Sequence, residues 1–120
     1  MQLIHLFLEF LNNLKVYHWR TMSYARHKAS DDCFQKLQAL IDQFVEVCTG
    51  KHGRKALLED SKSKCSAEIA HLTDKSVVPF VTQFRMMLEH LQIADSDLAN
   101  IRDEMVAELN QCLYLFTLKN

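Results

Sequence analysis

His18, His27, Asp31, Asp42 and Glu46 are the side chains of this 120-residue chain best suited to chemistry. Four of them form two i,i+4 pairs, His27 with Asp31 and Asp42 with Glu46. Residues four apart on a helix project from one face, close enough to share a ligand. Imidazole and carboxylate together suit a divalent transition metal such as iron or zinc. The second pair follows the first by 15 residues, which is roughly 20 Å along a helix. That is too far for a single metal unless the second pair comes from another copy of the chain. The combinations 27/46 and 31/42 are symmetric about residues 36–37. Two copies crossing antiparallel at that point set each His27/Asp31 pair against the partner's Asp42/Glu46 pair, the reciprocity that a two-fold interface demands. The spacing predicts a metal site at a dimer interface, present twice per dimer.

Helices must carry these residues. Leu3, Phe7, Phe10, Leu14 and Tyr17 recur at alternating spacings of four and three, the apolar seam of a helix over about residues 2–20. His18 lies at the edge of that seam, and residues 20–24 read as a short polar turn. Phe34, Leu37, Ile41, Phe44 and Cys48 repeat the pattern over a second helix, about 25–48. A polar stripe of His27, Asp31, Gln35, Gln38, Asp42 and Glu46 runs along a neighbouring face, so one face suits a core and the other a partner. Thr49-Gly50-Lys51-His52-Gly53 reads as the helix end, since glycine tolerates the conformation found past a C-cap.

Residues 54–75 read as a crossover, with short helical stretches over Arg54–Asp60 and Ser66–Leu72. A third long helix is expected over about 77–93, with Ser76 as N-cap and Pro79 in the first turn, where its missing N–H costs nothing. Asp95 or Ser96 caps a fourth, running to about Leu118 with Leu98, Ile101, Met105, Leu109 and Cys112 inward. Only two Gly and one Pro argue against an all-β fold and its many turns. Two helices, a long crossover and two more helices predict a single all-α domain over residues 1–120, a four-helix bundle of ferritin-like connectivity.

Composition narrows the function classes. The chain is 48% hydrophobic and 24% charged, with a net charge of −1, an ordinary balance for a soluble domain. Lys and Arg form no block that would track a phosphate backbone, so strong nucleic-acid binding is not expected. Cys33, Cys48, Cys65 and Cys112 show neither C-x-x-C nor zinc-ribbon spacing, which suits reduced thiols and an intracellular, cytoplasmic setting. No apolar run reaches the roughly 20 residues of a membrane span. The apolar start carries Glu9 and no basic n-region, unlike a signal peptide. No Gly-rich phosphate loop and no Ser/His/Asp arrangement is present. Glu68-x-x-His71 matches half of another di-iron plan, but it occurs once and lies in the connector, so it reads as chance. A single His on a helix is usually satisfied locally, and His5, His52, His71 and His90 are read that way.

The string Leu14-Lys15-Val16-Tyr17-His18-Trp19, followed by His27, Asp31 and Asp42-x-x-x-Glu46, resembles the ferroxidase signature of the DNA-protection-during-starvation (Dps) branch of the ferritin superfamily. The likeness covers residues 11 to about 50; beyond them only the helix pattern is similar. It implies that His18, His27 and Asp31 bind iron, at a mono- or di-iron centre, from one subunit, while Asp42 and Glu46 bind it from the two-fold mate. It further implies Fe(II) oxidation, iron storage or detoxification, and a homo-oligomer that is at least a dimer and in that family a hollow dodecamer. Trp19, beside a ligand, would intercept oxidising equivalents. The interval from His18 to His27 is shorter than in typical members, so the intervening turn must be tight. The lysine-rich N-terminal tail that many members use on DNA is absent. A different class of reading is a non-enzymatic structural or assembly subunit, dimerising through the second helix, with the polar pairs serving as inter-subunit salt bridges.

Overall fold

A computed structural model describes residues 3–61 and 69–118. Among them the regular structure is entirely helical: α1 (Leu3–Arg20), α2 (Tyr24–His52), α3 (Arg54–Ser61), α4 (Val77–Glu89) and α5 (Ser96–Leu115). No strand occurs among the described residues. None of their helices is long and apolar enough to cross a membrane.

The expected seam of α1 is the face it buries. Phe7, Phe10, Leu11, Leu14 and Tyr17 are all sealed, and their rings tie α1 to its neighbours. Phe7 meets Phe44 of α2 edge-on at 5.7 Å, and Phe10 stacks on Phe84 of α4 at 4.1 Å. Aromatic pairs of this kind add about 0.5–1.5 kcal/mol beyond the area they bury. α2 is central, packing most extensively on α5 and then on α1, while α4 leans chiefly on α5. Leu37 of α2, Leu88 of α4, and Met105 and Leu109 of α5 are fully enclosed. Each such side chain contributes roughly 1.5–3 kcal/mol when removed from water. Cys33 of α2 and Cys112 of α5 are also buried as free thiols. The hydrogen bond with Cys112, together with burial, pushes the Cys33 pKa well up, so that thiol is inert at neutral pH.

Helix ends depart from the expectation drawn from spacing. α2 continues through Gly50 to His52. Mid-helix glycine costs only about 1 kcal/mol, and the true stop is Gly53, at φ 84° with its N–H on the Thr49 carbonyl. Lys51 and His52 are held from across the fold, by Asp97 at 2.9 Å and Asp95 at 3.0 Å respectively. Asp95 occupies the N-cap position of α5, yet its side chain makes no capping bond.

α4 stops at Glu89, short of residue 93. Arg102 explains the early stop: its Nη1 donates to the carbonyls of Leu88 and Leu91, each at 3.0 Å. The chain thus leaves the helix with its last carbonyls satisfied and Leu91 turned into the core. Ser76 does not cap α4 through its side chain. Thr73 takes that role, its Oγ1 accepting from Ser76 N–H while Ser76 Oγ accepts from Thr73 N–H. α5 ends at Leu115 rather than near Leu118. The first expected connector helix is α3. Residues 69–73 are not helical, and 66–68 of the second expected stretch lie outside the described residues, as do Glu68 and Cys65.

Candidate metal centre

α1 and α2 run antiparallel, joined by a tight turn over residues 21–23. Two local devices shorten it. Thr21 N–H returns to the Tyr17 carbonyl at 2.9 Å, finishing α1. Ser23 then caps α2 by accepting from Arg26 N–H at 3.1 Å, the ordinary role of serine at that position. So short a turn leaves the last residues of one helix beside the first of the next, and His18 comes to lie on His27.

Their rings stack with centroids 3.9 Å apart and planes 18° from parallel. His18 Nδ1 lies 2.8 Å from the carbonyl of His27, and His27 Nδ1 lies 2.9 Å from the carbonyl of His18. A carbonyl oxygen only accepts, so both Nδ1 atoms must carry the proton. In the neutral imidazoles each Nε2 then holds a lone pair, the form in which histidine binds a metal. A backbone carbonyl on Nδ1 is the usual second partner of a ligating histidine, fixing ring orientation and tautomer. Among the described residues nothing takes either Nε2. Ser30, fully buried one turn beyond His27, supports the pair: its Oγ donates to the His27 carbonyl at 3.2 Å and lies 3.3 Å from His18 Nδ1.

Asp31 lies one turn along α2 from His27, half-exposed, with Lys15 Nζ 3.9 Å from its carboxylate. The same ammonium lies over the Phe34 ring at 4.7 Å and the Trp19 ring at 5.7 Å. A cation therefore already sits beside the carboxylate. Trp19, next to His18, is 67% exposed. Asp42 and Glu46 are exposed farther along the same helix and have no hydrogen bond or ion pair among the described residues. One chain thus brings His18 onto His27, sets Asp31 one turn farther along α2, and leaves Asp42 and Glu46 roughly 20 Å away. No set of three or more His, Cys, Asp or Glu among the described residues could hold a metal alone.

A second polar cluster braces the first. Tyr17 Oη donates to Asp74 Oδ1 at 2.7 Å, Thr21 Oγ1 donates to the same oxygen at 2.8 Å, and Arg26 Nη1 donates to the Asp74 carbonyl at 2.9 Å. The connector is thereby clamped onto the α1–α2 turn. The Tyr17 hydrogen bond chiefly, with help from Thr21, holds the Asp74 carboxyl below its ordinary range, while burial and Asp74 push the Tyr17 phenol up. Sequence reasoning missed this clamp, because Asp74 is 57 residues from Tyr17. It also missed Lys15 and Ser30, although each is three residues from a proposed ligand and so on the same helical face. His90 Nδ1 donates locally to the Met86 carbonyl at 2.7 Å, as expected of an isolated histidine, whereas His52 pairs with Asp95 across 43 residues and the buried Nε2 of His5 has no hydrogen-bond partner among the described residues.

The profile of a family of unknown function (DUF5856) matches residues 18–116, so its span opens on His18. An uncharacterized 14.6 kDa protein of Enterobacteria phage T4, from the mobD-ri intergenic region, is 55% identical over 38 residues. That stretch is 32% of this chain and 30% of the phage protein. No solved structure matches.

Proposed function

The chain belongs to the DUF5856 family, and we propose that it is a Dps-like ferroxidase, a ferritin-like four-helix bundle of α1, α2, α4 and α5 with its long crossover between α2 and α4. Fe(II) is the substrate, and hydrogen peroxide, the oxidant that the family resemblance implies, accepts one electron from each of two Fe(II) ions and, with two protons, leaves as water. His18, His27 and Asp31 bind it from one subunit, and Asp42 and Glu46 from the two-fold mate. The carrying observation is the reciprocal Nδ1–H···O=C bonding of His18 and His27, which leaves a lone pair on each Nε2 in the neutral rings, one helical turn from Asp31.

The residues divide the work. Histidine nitrogen accommodates Fe(II), and the three carboxylates favour the Fe(III) product, whose higher charge gains more from hard oxygen ligands. Metal entry displaces Lys15 from Asp31, one cation replacing another. Trp19, the residue after His18, is placed to take up oxidising equivalents. The oxidised iron is stored or detoxified by a homo-oligomer that is at least a dimer.

Complementation tests the shared site. Asp42→Ala/Glu46→Ala and His27→Ala/Asp31→Ala proteins are each expected to lose Fe(II) oxidation and Fe(II) quenching of Trp19 while keeping their helicity. Mixed, they form heterodimers holding one site with every ligand, so activity returns in part. Parents that stay inactive after confirmed subunit exchange would remove the shared site and the ferroxidase reading with it.

A second reading keeps the dimer and drops the chemistry. The Lys15–Asp31 pair favours it, since a neutralised carboxylate serves a structural subunit as well as a metal. Metal analysis separates the two: a structural subunit takes up no stoichiometric iron.

A further inference from the structure

An apolar cavity of about 260 Å³ lies between the start of α1, the end of α2 and α3, lined by residues that include Leu3, Ile4, Val45, Cys48, Thr49 and Ala56. We propose that it is the socket for Trp19 of the partner subunit. The inference rests on the antiparallel α2 dimer of the preceding section and identifies what holds that dimer together.

The register of α1 on α2, combined with the proposed dimer axis, leads to this cavity. Within a chain, His18 stacks on His27, Lys15 reaches Asp31 and Phe7 meets Phe44. Trp19 is therefore level with the first turns of α2, and Leu3 and Ile4 are level with its residues 45–49. The dimer axis at residues 36–37 carries the level of residue 27 to that of residue 46. A two-fold axis lying in the interface, perpendicular to α2, also keeps both copies of α1 on the same flank. The end of the partner's α1 then arrives at the start of this one, where the cavity lies.

Charge agrees with that register. Lys15 and Lys28 stand at one end of the α1–α2 face, Asp42 and Glu46 at the other. Before metal enters, antiparallel pairing sets the Lys15–Asp31 ion pair against Asp42 of the partner subunit, and Lys28 against Glu46 of the partner subunit. Trp19 itself needs an explanation, since a 67% exposed indole is the commonest kind of interface anchor. Seated in a neighbouring pocket, an aromatic side chain buries up to roughly 150–250 Å².

Sedimentation equilibrium and tryptophan fluorescence on the full chain test the proposal. The dimer is expected to show blue-shifted Trp19 emission and reduced acrylamide quenching relative to diluted monomer. Trp19→Ala should weaken dimerisation roughly tenfold or more. Ala56→Phe, made at an exposed wall of the cavity so that folding is spared, should weaken it likewise and return the emission to that of an exposed indole. Circular dichroism checks that both variants keep their helicity. A dimer whose Trp19 stays fully open to acrylamide, or whose affinity neither variant changes, would overturn the socket and leave the metal-sharing dimer standing. A chain that stays monomeric at every concentration would overturn both.

Discussion

His18→Ala and His18→Asn, compared in chelator so that no metal contributes, separate the scaffold role of this histidine from its proposed ligand role. His18 is 7% exposed, its ring stacked at 3.9 Å on His27 and its Nδ1–H bonded at 2.8 Å to the His27 carbonyl. Alanine removes both interactions. Ser30 Oγ still donates to that carbonyl, so the oxygen is not orphaned, and the hydrogen-bond loss is about 1 kcal/mol. Losing the buried ring adds roughly 1–2 kcal/mol, for a total of about 2–3 kcal/mol. In a domain of this size that lowers Tm by roughly 6–15 °C. Asparagine places its side-chain N–H close to where Nδ1–H stood and offers nothing where Nε2 stood, so it should recover about 1 kcal/mol of the loss. Urea and thermal denaturation measure both variants. With Fe(II) or Zn(II) added, His18→Asn should fail to gain the stabilisation that wild type gains. If asparagine is no better than alanine, the Nδ1 bond does not order the pair. If His18→Asn binds metal as wild type does, Nε2 is not a ligand.

Two further perturbations address what holds the site in place. Asp74→Asn should lower stability at neutral pH by about 1 kcal/mol and flatten its acid dependence. Because the folded carboxyl is held below its ordinary value, its contribution is complete above the usual carboxylate range. It is lost as pH falls through the depressed value, so denaturation midpoints measured from about pH 5 down to pH 2 should differ least at the acid end. An acid limb as steep as in wild type would refute the clamp. Arg102→Ala, which takes the guanidinium from the Leu91 carbonyl and leaves the Leu88 carbonyl with the Leu91 N–H, should cost about 1–3 kcal/mol and raise amide exchange over residues 86–91, a change that unaltered exchange there would exclude.

The seams and the ligand pairs were legible in the sequence because spacing inside one helix fixes which residues share a face. Phe7, Phe10, Leu14 and Tyr17 recur at helical intervals, and all are buried. The i,i+4 relations of His27 with Asp31 and Asp42 with Glu46 follow in the same way once α2 is helical throughout. Helix ends were read less well, since partners distant in sequence settle them: Arg102 closes α4, and Asp95 and Asp97 hold the last turn of α2 beyond Gly50. Only the tertiary structure decided how α1 is rotated and shifted against α2. That rotation stacks His18 on His27, fixes the proton on both Nδ1 atoms and lays Lys15 beside Asp31. It also brings Asp74 onto Tyr17 across 57 residues. No periodicity encodes such contacts, because they depend on the packing of whole helices, where a shift of one residue moves a side chain by about 100° around the helix axis.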